Sequence, residues 1–268
     1  QLRRLSDAPR PGDPPLVVWS EQGMGDSIQF VRYLPLLAAA GVPFVFLTRP
    51  VLYTLFQNWT PHGDQVQLLG STQPDQDQRP QIALMSLPRL FGTELHTVPA
   101  SVPYLNPQTP TPPHLKLEPP AGGLSVGLVW ASNPDNKAMY RNKSVALELL
   151  MPRLLDLIQL DLIELHSLQF GADADQLAPW RGRNGIVEWK DRLSDFSDTA
   201  HVLRQLDLVI SVDTAVAHLA GALNRPTWLL LPQNADFGWL KDRRDSPWYP
   251  SMRLFRQTCR GDWHSVME

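Results

Sequence analysis

Between Pro99 and Pro120 the chain reads "PASVPYLNPQTPTPPHLKLEPP", a segment holding eight of its 26 prolines. Proline fixes φ and offers no backbone N–H, so neither a helix nor a central strand can run through this stretch. Whatever the chain builds must be built twice, once on each side. The boundaries read from this pattern are an N-terminal unit over 1–108, a proline-rich linker over 109–123 and a C-terminal unit over 124–268. With 268 residues to share, two units of ordinary domain size result.

The same alternation occupies both sides. "LVVWS" (16–20) is a short apolar run, the loop "EQGMGD" follows, and "SIQFVRYLPLLAAA" carries apolar residues at helical spacing until Pro35 kinks or shortens it. "PFVFLT" is the next strand, "VLYTLFQNW" a helix, and "VQLLG" (66–70) and "QIALM" are further strands. After the linker, "LSVGLVWAS", "DLIELHSLQ", "DLVISV" and "PTWLLLP" are strands separated by the helices "ALELLMPRLLDLI", "DFSDTAHVLRQL" and "TAVAHLAGAL". Strands alternating with helices build parallel sheets. The fold class is α/β, with two units whose parallel sheets face a central cleft. Ligands of such sheets bind outside the carboxyl ends of the strands.

Composition narrows the partners. Twenty-four basic and 27 acidic residues give a net charge of −3, and no basic run or aromatic-interleaved cluster tracks a phosphate backbone, so nucleic acid is not an expected partner. One cysteine, Cys259, forms no internal disulfide, which fits a reducing compartment. No stretch reaches the roughly 20 apolar residues of a membrane helix, and the expectation is a cytoplasmic protein, at most peripheral to the inner face of the membrane. The chain opens on a polar, proline-rich segment without Met, so a fragment of a longer protein is one expectation.

Three strand-to-helix junctions carry candidate chemistry. In "LDLVISVDTAVAHLAGAL" (206–223), Val216, Leu219, Ala220 and Leu223 form the buried stripe of a helix, while Thr214, His218 and Gly221 gather on the other face and Asp213 stands where an N-cap belongs. A helix N-terminus flanked by a hydroxyl and an imidazole suits a phosphate or diphosphate. The plainer reading is that Asp213 only caps and His218 sits at a surface or between domains. In "SEQGMGDSIQF", Gly23 and Gly25 permit a tight turn and close approach of a ligand, and Asp26 is either a helix-dipole carboxylate or a general base. The spacing is neither the dinucleotide fingerprint nor the phosphate-binding loop. In "ASNPDNKAMYRNKS", Lys137, Arg141 and Lys143 share one loop, where they either neutralise a phosphate leaving group or are simply solvated. Trp239, Trp248 and Tyr249 are read as packed against helices rather than as ring-stacking platforms.

Taken in order, "SEQGMGDSIQFVRYLPLLAAAG", "LFGTELHTVPASVPYL", "VGLVWASNPDNKAMYRNKS", "LDLVISVDTAVAHLAGALNRPTWLLLP" and "DSPWYPSMRLFRQ" resemble the glycosyltransferase domain that follows tetratricopeptide repeats in many bacterial proteins. That domain is similar to the ADP-heptose:lipopolysaccharide heptosyltransferases of glycosyltransferase family 9. The resemblance implies a GT-B fold of two Rossmann-like units, with the sugar nucleotide held mainly by the second and the acceptor by the first. It implies that Asp26 is the catalytic base, that Lys143, with Arg141 as second candidate, is a basic donor-binding residue, and that Asp213, Thr214, Ala215 and His218 form the donor-binding signature. Asp173 in "FGADADQL" falls where an acidic residue meets the nucleotide ribose. Ala215 departs from the glycine usual after the threonine, which puts the donor in question. No metal is implied, and the Asp-Ala-Asp of 173–175 is discounted as a metal motif.

The expected activity is therefore metal-independent, inverting transfer of a hexosyl or heptosyl group from a nucleotide-diphosphate sugar to a hydroxyl on a glycan, lipid-linked or protein acceptor, with closure of the two units about the linker. An N-terminal tetratricopeptide-repeat region is the expected neighbour. Two rival readings stand beside it: a catalytically silent GT-B module that binds a sugar nucleotide and caps a repeat protein, and a sugar-nucleotide epimerase.

Overall fold

The computed structural model describes residues 4–68, 78–107, 109–118, 120 and 122–267. In chain order the N-terminal half comprises β1 (Leu16–Trp19), α1 (Met24–Phe30), α2 (Leu34–Ala39), β2 (Phe44–Thr48), α3 (Pro50–Trp59), β3 (Val66–Leu68), β4 (Gln81–Ala83) and α4 (Leu87–Leu90). The C-terminal half comprises β5 (Leu124–Val129), α5 (Lys137–Lys143), α6 (Leu147–Gln159), β6 (Ile163–Ser167), β7 (Ile186–Glu188), α7 (Phe196–Leu203), β8 (Leu208–Val212), α8 (Ala215–Ala222), β9 (Thr227–Leu231), β10 (Met252–Arg256) and α9 (His264–Met267). The strand expected over 66–70 is seen through Leu68, and its last two residues lie outside the described ones.

Each half is a parallel sheet, ordered β3-β2-β1-β4 in the first and β10-β9-β8-β5-β6-β7 in the second. In both sheets the first strand lies inside and later strands are added first on one side, then on the other. The order therefore reverses between β1 and β4 and between β5 and β8, and the crevice above such a reversal is where open α/β sheets take ligands. The loop leaving β1 carries Glu21 and leads into α1, whose first turn holds Asp26. The loops leaving β5 and β8 carry Ser132 and Asp213.

Pro35 marks the start of α2 rather than a kink, because a single 3-10 turn, Val31–Tyr33, separates α1 from α2 and places the proline in a first turn, where a missing N–H costs nothing. The halves are not separate bodies meeting at a wet cleft. One continuous apolar cluster includes Leu16, Ile28, Leu52 and Phe56 from the first half and Val202, Leu203, Leu219 and Leu223 from the second. Trp59 of α3 donates its indole N–H to Ser197 Oγ of α7 at 2.9 Å, and the Tyr104 amide donates to the Ala222 carbonyl at 3.1 Å. α8, read from sequence as amphipathic, is buried on every side from Val216 to Ala222, because α1 covers the face that was expected to be polar. The linker is pinned as well: Leu115 is fully buried, and the Gln205 side chain bonds Leu117 N–H at 3.0 Å and the Leu115 carbonyl at 2.8 Å. Among the described residues no helix is long and apolar enough to cross a membrane.

Candidate functional site

On the N-terminal side, β1 ends and the chain turns through Gly23 into α1. The Gly23 amide donates to Asp26 Oδ2 at 2.8 Å, which folds the carboxylate back over the first turn. Burial raises the Asp26 pKa above the usual carboxylate value. The Gly23 N–H opposes the rise, the negative charges of Asp236 and Asp213 reinforce it, and Lys143 pulls the other way. A β-carbon on the preceding Gly25 would lie 2.7 Å from His218 Cδ2, so the first turn of α1, which carries Asp26, sits against α8. Glu21 lies nearby, its Oε1 accepting from the Met85 amide at 3.1 Å, with a pKa raised by burial and by Asp26.

On the C-terminal side, one expectation is overturned. Thr214, in extended conformation (φ −140°, ψ 170°), is the N-cap of α8, and no side chain caps the helix. Asp213 instead points its Oδ2 at Lys143 Nζ, 2.6 Å away, and both groups are largely shielded from solvent. A cation reachable from a neighbouring helix outcompetes a backbone N–H for a buried carboxylate, because a charge pair answers more of its desolvation cost. Thr214 and Ala215 remain partly exposed, so the first turn of α8 borders the crevice. The Thr214 hydroxyl lies 3.3 Å from Ser211 Oγ.

His218, one turn on, is buried. Its Nδ1 is 2.9 Å from the Tyr249 hydroxyl, its Nε2 is 3.8 Å from Asp213 Oδ1, and Trp239 lies against its ring with centroids 5.0 Å apart. Burial depresses its pKa to about 4; Asp213 pushes the value up, whereas Lys143 and Arg32 push it down. The imidazole is neutral at pH 7. Gly25 does not open space for a ligand, as was expected: a β-carbon there would lie 2.7 Å from His218 Cδ2, so the missing side chain lets α1 close onto α8. Gly23 serves the turn. Trp239 and Tyr249 are buried, as their packing reading required.

The three basic residues expected in one loop lie on a helix. Asn136 caps α5 by accepting from the Met139 amide at 3.2 Å. Lys137 and Arg141 are exposed, and Lys143 alone reaches Asp213. Three residues before Lys143, Tyr140 donates to Asp173 Oδ1 at 2.5 Å, and Gln176 Nε2 donates to the same oxygen at 2.7 Å. One face of α5 thus organises both acidic candidates. Asp175 departs toward Lys190, 2.9 Å away, so Asp173 and Asp175 do not converge. Among the described residues no group of three or more His, Cys, Asp or Glu is set to hold a metal ion.

Sequence reasoning missed four participants. Ser132, just past β5, is buried, and its hydroxyl has no hydrogen-bond partner among the described residues. Gln169 holds that strand end by accepting from the Trp130 and Ala131 amides at 3.1 and 2.9 Å. Asp236 acts through its charge on both Asp26 and His218. Arg32, buried in the turn after α1, donates to the carbonyls of Gln29, Pro99 and Trp248 and to the Tyr104 hydroxyl. The position of Ser132 at the end of the strand beside the reversal was readable, whereas nothing local in the sequence marked Arg32.

Comparison with known proteins bears on the fold and on the segment around α8. Residues 194–230, which hold α7, β8, α8 and most of β9, match Glycosyltransferase family 9 (heptosyltransferase). Protein FlbA of Caulobacter vibrioides is 28% identical over 298 aligned positions, covering 98% of this chain and 48% of FlbA, so the chain spans about half the length of that relative. Among solved structures, E. coli heptosyltransferase WaaC with ADP superposes with a TM-score of 0.58 at 14% identity, over 91% of this chain and 93% of WaaC. A family 9 glycosyl transferase from Veillonella parvula superposes with a TM-score of 0.59 at 10% identity, over 91% of this chain and 86% of that one. The chain thus has the GT-B fold of the heptosyltransferases, and its match to glycosyltransferase family 9 falls on the segment that carries Asp213, Thr214, Ala215 and His218.

Proposed function

We propose that the protein is a glycosyltransferase that moves a sugar from a nucleotide-diphosphate sugar to a hydroxyl acceptor, without a metal and with inversion at the anomeric carbon. The observation that carries the reading is the packing of α1, whose first turn holds Asp26, against α8 and the Lys143–Asp213–His218 group, above the strand reversals of two parallel sheets. The diphosphate belongs at the first turn of α8, where uncapped amides, the Thr214 hydroxyl and the helix dipole favour an anion. Lys143 adds a cation within the same group. Charge that develops on the leaving phosphate is met by groups already in place, which lowers the barrier more than it strengthens substrate binding.

Asp26 takes the proton of the acceptor hydroxyl as that oxygen attacks. Burial supports this role, since a carboxylate whose pKa is raised is a better base than an exposed one. Asp173, fixed by Tyr140 and Gln176, is assigned to the ribose hydroxyls; Arg141, being exposed, is assigned at most to the rim. Ala215 keeps its methyl at the partly exposed mouth, consistent with a donor set slightly further from the backbone than a glycine would allow.

The test incubates a panel of nucleotide sugars with and without candidate acceptors and with a chelator present. Acceptor-dependent release of nucleoside diphosphate, unaffected by the chelator, is expected. Equal hydrolysis of every donor whatever the acceptor would contradict transfer, and product from donor alone would point to an epimerase. A sugar-nucleotide-binding module without turnover is the second reading, favoured by the engagement of one Asp26 oxygen with the Gly23 amide; it requires Asp26→Asn to keep donor affinity and to cost no turnover.

A further inference from the structure

His218 is neutral, and which ring nitrogen carries its proton decides what it offers the phosphate junction. The Tyr249 hydroxyl, 2.9 Å from Nδ1, has one proton to give, and the Arg32 guanidinium stands over its ring. The Arg32 guanidinium has no acceptor atom, so it cannot take that proton. Tyr104 donates its own proton to the Ile28 carbonyl at 2.8 Å and accepts from Arg32 Nη2 at 3.0 Å. The acceptor placed with good geometry for the Tyr249 proton is His218 Nδ1. On the opposite edge, Nε2 faces the Asp213 carboxylate at 3.8 Å, an anion that favours a proton on that nitrogen.

The scaffold around this relay is built to hold it. The Arg32 guanidinium carbon stands 4.3 Å from the Tyr104 ring centroid and 4.7 Å from that of Tyr249, and the residue is only 4% exposed. Gly221 on α8 has no side chain, and a β-carbon there would collide with the Tyr249 ring and with Met252. Tyr249 thereby packs directly on α8, where its hydroxyl reaches His218 Nδ1. Arg32 belongs to the first half of the chain; Tyr249, His218 and Asp213 belong to the second.

We infer that Arg32 and Tyr249 are positioning residues that hold His218 as the Nε2–H tautomer, so that its ring presents an N–H donor to the junction between Asp213 and the start of α1. The inference deepens the transferase reading, in which that N–H meets the leaving group. It also makes the C-terminal half of the site depend on a residue of the N-terminal half: without Arg32, Tyr249 loses the cation that polarises its hydroxyl toward the imidazole.

Long-range proton–nitrogen correlation spectra of histidine-labelled protein at pH 7 read the tautomer directly, with His218→Gln identifying the resonances. The expected wild-type spectrum shows a protonated Nε2 and an unprotonated Nδ1. Tyr249→Phe, which keeps the ring, is expected to lose that preference, and Arg32→Lys, which restores a charge without the fork, to retain part of it. A wild-type Nδ1–H tautomer, or a Tyr249→Phe spectrum identical to wild type, would overturn the inference. The measurement uses the free protein, so it stands or falls apart from glycosyl transfer; absence of transfer with an intact Nε2–H signature would count against the transferase reading alone.

Discussion

At Asp26 the burial that suits a base also opposes folding. Its pKa is raised in the folded chain, so the stability tied to it is fully present below the unfolded value near 3.8 and is lost as pH rises through the folded value; at pH 7 the ionised form is a net cost. Asp26→Asn, whose amide oxygen can still accept from Gly23, is therefore expected to raise the thermal midpoint at pH 7 while lowering kcat about 10²–10⁴-fold. A lower midpoint with unchanged turnover would remove Asp26 from the chemistry. His218 runs the other way. Its folded pKa of about 4 lies below the ordinary imidazole value of 6.5, so it contributes stability present above pH 6.5 and lost as pH falls toward 4. Denaturant titrations between pH 7 and pH 4.5 are expected to show a slope of about 1.4 kcal/mol per pH unit for each such proton, and His218→Gln should flatten the slope by about one proton. His166, buried and also depressed to about 4, supplies a comparable share that the variant leaves intact. An unchanged slope in His218→Gln would mean that the imidazole is not held neutral. Asp26, Thr214 and His218 were legible because they stand at strand-to-helix junctions. Arg32 and Asp236 were not, since their parts depend on contacts or fields across long stretches of sequence.

Among the elements, the pair α1–α8 matters most, since it closes the two halves around the site. Gly25 is its contact point: alanine there would place a methyl 2.7 Å from His218 Cδ2 with backbone on one side and a buried ring on the other. Gly25→Ala is expected to cost about 1–3 kcal/mol and to weaken nucleotide binding, as read by chemical denaturation and calorimetry; a neutral variant would show that the helices can slide apart freely. Period-2 and period-3.6 patterns were enough to find most strands and the longer helices. They failed for α5, whose polar sequence has no apolar stripe to read because none of its residues is buried. They also failed for β7, three residues long with every side chain partly exposed, and for β10. The polar face assigned to α8 was an error of context: periodicity shows which residues differ, and only packing from α1 turned the second face inward.

For the molecule as a whole, the proline-rich segment did separate two parallel sheets, yet it does not leave them independent. The shared apolar cluster, the Trp59–Ser197 bond and the Arg32 contacts with Pro99, Tyr104 and Trp248 tie the halves together, and the linker is itself anchored through Leu115 and Gln205. Large closure about the linker would have to break these contacts. Unfolding followed by circular dichroism and by tryptophan fluorescence is accordingly expected to give one coincident transition; two separated transitions would mean that each half folds alone. Whether the crevice between them holds a sugar nucleotide is tested most directly by a crystal structure with a bound nucleoside diphosphate. The account predicts its phosphates at the first turn of α8, beside Thr214 and Lys143 and across from Asp26. A nucleotide lodged instead in the roughly 630 Å³ concavity lined by Ile158, Glu164 and Arg183, at the opposite end of the second sheet, would contradict it.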